Sequence, residues 1–141
     1  MDIAGLLNTG ISIMLIYVCY TDIRWRRIPN RATLIILLLS LLSGFVHMPY
    51  PAIVLPCLLL ALGFFASMVN LIGAGDVKLV SALAVALTAS ETGDFLLLTG
   101  ISGIPVSVAS LLYFYFFDRQ KRASVPYALA ISCGYWLRMA T

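Results

Sequence analysis

Two aspartates occupy positions where a charge is hard to keep without a chemical reason. Asp22 closes the first long apolar stretch, in Tyr20-Thr-Asp-Ile-Arg-Trp-Arg-Arg-Ile-Pro-Asn30, and Asp76 sits in Gly73-Ala-Gly-Asp-Val-Lys78. A carboxylate inside or at the mouth of a membrane helix is expensive, so its default reading is functional. Two carboxylates brought close together cannot both ionise cheaply, and they share a proton at moderate pH. One can then take a proton from water while the other gives one to a peptide carbonyl and, later, to the leaving nitrogen. That is the arrangement of an aspartic protease. Taken singly, each residue also fits a plainer role. Asp22 could be an interfacial-loop carboxylate neutralised by its arginine neighbours, and Asp76 the acidic residue of a turn that opens a helix near its positive dipole end.

The elements that must position this pair follow from composition. Of 141 residues, 62% are apolar and 11% charged, with a mean hydropathy of +1.02. So few charges could not cover so much apolar surface in water, which excludes a soluble globular or disordered chain. The charges also cluster, leaving uncharged stretches at 3–21, 32–75, 79–90, 95–117 and 123–137. The longest must hold two spans, because His47-Met-Pro-Tyr-Pro51 breaks it: proline lacks the helical N–H and pushes its predecessor toward extended geometry. The expectation is an all-α, polytopic integral membrane protein of about six transmembrane helices, forming one membrane-embedded domain over residues 1–141. Residues 79–90 are short for a crossing, so the fourth helix should draw Asp76 and Lys78 into the bilayer's depth or lie in a thinned region.

Basic residues set orientation. Arg24, Arg26, Arg27 and Arg31 in one loop and Arg119, Lys121 and Arg122 in another supply seven of the nine. With six alternating spans both loops fall on the cytoplasmic side, together with the segment of Asp76 and Lys78. The Pro turn and an acidic turn at Glu91 and Asp94 fall on the other side, as do both termini. Residues 3–20 follow Asp2 and precede the arginines, the reverse of a cleaved signal peptide, and read as a retained helix. Arg138 stands alone and would snorkel to the outer interface. Cys19, Cys57 and Cys133 are far apart and read as buried small hydrophobes, and His47 as an interfacial residue. No metal, cofactor or nucleic-acid partner is expected.

Asp22 followed by Ile28-Pro29-Asn30, then Gly73-x-Gly75-Asp76-x-Lys78, resembles the signature of the type IV prepilin peptidases, aspartic proteases of the GxGD class. Val125-Pro-Tyr-Ala128 is similar to a segment of the short members that serve Flp-type pili. The resemblance implies a multi-pass inner-membrane endopeptidase that cuts the leader from prepilins or pseudopilins at the cytoplasmic face. By the same resemblance Asp22 and Asp76 are the catalytic pair. Gly73 and Gly75 give the second aspartate room, Pro29 and Asn30 shape the loop leaving Asp22 with Asn30 capping the second helix, and Lys78 holds the Asp76 segment or meets a substrate carboxylate.

Longer members carry two Cys-x-x-Cys pairs in an N-terminal segment and methylate the new pilin terminus; neither zinc nor methyltransferase activity is inferred here. A basic leader would meet the arginines of the first loop, Arg24, Arg26, Arg27 and Arg31, which are either screened by anionic lipid headgroups or, the preferred reading, act mainly as topology anchors. Gly100, Ser102, Gly103, Ser107 and Ala109 read as close-packing positions, Pro56 and Pro105 as kinks, and Tyr113, Tyr115 and Phe116 as an interfacial belt. Outside enzymes, the alternatives are a small proton- or cation-coupled transporter and a non-catalytic pilus-assembly subunit. Oligomeric state is not legible.

Overall fold

Proline, glycine and left-handed residues punctuate the chain where its helices change. The structure, a computed structural model, describes residues 2–50, 52–117 and 125–141; Pro51 and the loop cluster of Asp118, Arg119, Lys121 and Arg122 lie outside the described residues. The described residues form six helices and no strand: α1 (Ile3–Trp25), α2 (Asn30–His47), α3 (Val54–Met68), α4 (Ala74–Ala84), α5 (Ala89–Phe117) and α6 (Tyr127–Ala140). The first helix, α1, stops where Arg26 turns left-handed at φ 54° and its N–H reaches the Asp22 carbonyl at 2.9 Å. Pro29, with its fixed φ, then launches α2. Left-handed Asn70 follows α3, a conformation asparagine tolerates.

Three helices, α1, α2 and α5, are long and apolar enough to cross a membrane. The others are shorter, and α4 is the extreme. Its 11 residues span about 16 Å, roughly half the hydrocarbon thickness of a bilayer. As expected, α4 extends back past Lys78 and Asp76 to start at Ala74, and it gives way to a turn after Ala84. Glu91 and Asp94, expected in a turn, lie inside α5 instead. The reason is local: Thr88 and Glu91 form a reciprocal cap, Thr88 N–H to Glu91 Oε2 at 2.8 Å and Glu91 N–H to Thr88 Oγ1 at 3.4 Å, so the helix begins before the charges. Arg138 is not isolated either, since it pairs with Glu91 and ties the end of α6 to the start of α5.

The helices α1, α2, α4 and α6 pack in a closed ring, with α3 set against α4 and α5 against α6. Ile11, Leu15 and Val18 of α1, Ile36 of α2, Leu79 and Leu83 of α4 and Ile131 and Tyr135 of α6 fill its centre. Outside the ring, α3 and α5 turn Leu58, Phe64, Phe65, Leu97, Ile101 and Ile104 outward, an apolar exterior that suits lipid. Two sequence expectations change here. Pro56 occupies the first turn of α3, where its missing N–H breaks no hydrogen bond, so it starts the helix instead of kinking it. Cys57 is exposed, whereas Cys19 is buried.

The close packing of α5 and α6 depends on a glycine that sequence reasoning passed over. A Cβ on Gly134 would lie 2.7 Å from the backbone nitrogen of Thr99 and 2.8 Å from its Cα. Of the small residues expected to allow close approach, Ser102 does so by donating to the Ala130 carbonyl at 3.0 Å, and a Cβ on Gly103 would rest 3.8 Å from that of Ala130. Gly100 meets no neighbour. Gly134→Ala should therefore destabilise the protein. Alanine returns about 1 kcal/mol of helix propensity, but overpacking costs about 1–3 kcal/mol, and here the obstacle is backbone that cannot swing aside. Thermal unfolding in detergent would read this as a lower midpoint; an unchanged or higher midpoint would contradict the packing.

Candidate active site

The last turn of α1 carries Asp22 on its buried side, with 8% of its surface exposed. Its Oδ2 accepts the backbone N–H of Ala128 at 3.2 Å. Ala128 is the second residue of α6, so this is one of the amides that a helix start leaves without an intrahelical partner, and a carboxylate is favoured there by the helix dipole. The same residue is held from its other side: its carbonyl accepts the Ser132 hydroxyl at 2.8 Å and the Cys19 thiol at 3.6 Å. The Val125–Ala128 segment thus acquires a physical role as the part of the chain that Asp22 clamps.

Asp76 is the third residue of α4, and Gly73 precedes the helix in extended geometry at φ −68°, ψ 133°. The carboxylate folds back so closely that a Cβ on Gly73 would be 2.7 Å from Asp76 Oδ2. Gly75 answers a different need. A Cβ there would lie 3.2 Å from the Cβ of Ile28, so it lets the first turn of α4 approach the link between α1 and α2. One glycine makes room for the carboxylate and the other for the Ile28 side chain.

Asp22 and Asp76 line the same cavity, of about 440 Å³. Gly73 and Gly75 form part of its wall, as do Asn30 and Lys78 from the neighbouring helices and Tyr127 at the start of α6. Pro29 lies just outside that wall as the residue preceding α2. Asn30 does not cap α2: it is the first helical residue, and its side chain makes no cap bond. Its Oδ1 instead accepts from Lys78 Nζ at 3.4 Å, a bridge from α2 to α4 that braces the Asp76 segment.

The arginines separate into two groups. Arg26 and Arg27 line the aspartate cavity whereas Arg24 and Arg31 do not, so the first pair has a place at the site beyond anchoring. Arg26 also lies over the ring of Phe114, 5.1 Å from its centroid. Sequence reasoning missed the Ala128 amide, which no side-chain pattern could have revealed, and the Thr88-x-x-Glu91 cap, which one could.

The described residues are helical apart from their turns and links, with an apolar exterior and two carboxylates lining one cavity near helix ends, and so have the parts of a membrane hydrolase. The sequence profile of the type IV leader peptidase family matches residues 10–108, which include both aspartates and the whole Gly73–Lys78 segment, and the chain belongs to that family. Its class is therefore that of a leader peptidase-like protease. No match was found among curated proteins or among solved structures.

Proposed function

We propose that this protein is an aspartic endopeptidase of the bacterial inner membrane that removes the leader from type IV prepilins or pseudopilins of the Flp-like kind at the cytoplasmic face. The observation that carries the reading is the shared cavity: residues 22 and 76 come from separate helices, yet their carboxylates line one space. In this reading the whole chain is one membrane-embedded peptidase unit with six crossing segments and both termini outside.

The two carboxylates have unlike surroundings, and this divides the work. Asp22, accepting the Ala128 N–H, is suited to the ionised role, because a donated hydrogen bond favours the charged form. Asp76 carries the shared proton. Asp22 takes a proton from water as the water oxygen bonds to the scissile carbonyl carbon, and Asp76 passes its proton to the carbonyl oxygen. When the tetrahedral intermediate collapses, Asp22 returns its proton to the leaving nitrogen and the carbon–nitrogen bond breaks. Asp76 recovers a proton from the diol oxygen, which restores the starting state.

Co-expression with a candidate prepilin tests the proposal. Wild-type protein should convert it to a shorter species whose new N-terminus is identified by mass spectrometry. Intact prepilin together with proton or cation flux in reconstituted vesicles would replace the peptidase reading by the transporter one. Intact prepilin without flux would favour a non-catalytic assembly subunit.

A further inference from the structure

A groove of about 480 Å³ runs between α2, α3 and α4, on the side of α4 away from α6. Leu34, Leu37 and Leu41 of α2 form one wall, and Ile53, Leu60 and Val85 contribute to the others. The groove is apolar along its length and polar at one end, where Asn30 and Lys78 stand. Those two residues also line the aspartate cavity, so the groove ends at its rim without including either aspartate. The wall contains two further polar side chains: Thr33, whose hydroxyl donates to the Pro29 carbonyl at 3.4 Å, and Ser81, 7% exposed, whose hydroxyl has no hydrogen-bond partner among the described residues.

We infer that this groove is a binding site for one anionic phospholipid, with an acyl chain along the α2 wall and the phosphate on Lys78. Length favours a lipid over a partner helix. From Asn30 to Leu41 the α2 wall extends about 16 Å, close to the depth of one leaflet and about half of what a spanning helix needs. Charge selects the headgroup. Lys78 presents three N–H donors, of which one reaches Asn30 at a long 3.4 Å, and Arg27 and Arg31 flank Asn30 in the sequence. A second apolar cavity, of about 550 Å³ on the other side of α4, opens instead on Asp76 and has no lysine or arginine in its lining, so it offers a phosphate no cation. Two apolar surfaces of similar size thus differ in whether a cation stands at the mouth, and only the first suits an anionic lipid. The inference does not depend on the peptidase reading.

Native mass spectrometry of the full chain, released from vesicles holding equal amounts of phosphatidylglycerol and phosphatidylcholine, tests it. One phosphatidylglycerol should be retained with a preference of about fivefold, as one lysine near an anionic surface provides, and Lys78→Gln should bring that preference close to one. Exposed Cys57 lines the same groove and gives an independent readout that needs no mutation. Its alkylation, followed by peptide mapping, should slow severalfold when phosphatidylglycerol is present and stay unchanged with inorganic phosphate, which lacks the chain. Equal retention of the two lipids, or alkylation of Cys57 indifferent to lipid, would overturn the inference. Displacement of the lipid by added prepilin would also do so, because the groove would then belong to the substrate.

Discussion

Asp22→Asn and Asp76→Asn should each lower leader removal by at least about a hundredfold, the range that general acid–base groups supply, while the protein remains folded. Asparagine preserves the size of each side chain but cannot carry the proton. At position 22 the substitution is especially informative. The Asp22 carboxylate also clamps the start of α6 through the Ala128 N–H, and the asparagine carbonyl oxygen can accept the same bond, so Asp22→Asn separates chemistry from tethering. Asp22→Ala removes both and should in addition loosen α6, read as faster amide exchange at Ala128. Processing by either asparagine variant at near the wild-type rate would sink the dyad, whatever else the protein does. The comparison needs circular dichroism and gel filtration on each variant, so that lost activity is not lost fold.

Gly73→Ala should cost leader removal about tenfold to a hundredfold, the scale on which a misplacement of about 1 Å is felt in catalysis. A Cβ at this position would meet Asp76 Oδ2 at 2.7 Å, and the atom most able to give way is that oxygen. The carboxylate would turn out of the cavity. The backbone itself does not resist, because φ −68°, ψ 133° at Gly73 is open to any residue. The loss should therefore appear in kcat with secondary structure intact. Gly75→Ala makes a useful contrast. Its Cβ would meet Ile28 at 3.2 Å, a contact that a few tenths of an ångström of movement relieves, so a smaller loss is expected. If Gly73→Ala cleaved normally and Gly75→Ala did not, the assignment of the two glycines would be reversed.

Much of this was legible from the order of residues. The scarcity of charge made Asp22 and Asp76 visible, because a hydrocarbon environment tolerates few carboxylates and each one kept demands a reason. Prolines and glycines located the changes of helix, since a missing N–H or a missing Cβ acts on its own segment whatever the rest of the chain does. Such local rules also failed in identifiable places. Asn30 has the chemistry of a cap, but Pro29 precedes it with a φ already suited to begin the helix, and the Asn30 amide was drawn to Lys78 on another helix. Glu91 and Asp94 look like a polar turn until the Thr88 cap is recognised, which extends α5 outward past them. Arg138 looked solitary because its partner lies on a different helix.

The sequence by itself determined the helical class, the membrane environment and the two candidate carboxylates, because hydropathy, charge cost and backbone chemistry act along the chain. Tertiary structure alone decided that Gly134 lets α5 meet α6 and that the Ala128 amide faces Asp22. It also decided that residues 22 and 76 share a cavity. Each of these depends on how closely separate helices approach, a property set by the joint packing of side chains that are distant in sequence. A backbone N–H, moreover, carries no residue-specific mark by which a sequence could announce its partner.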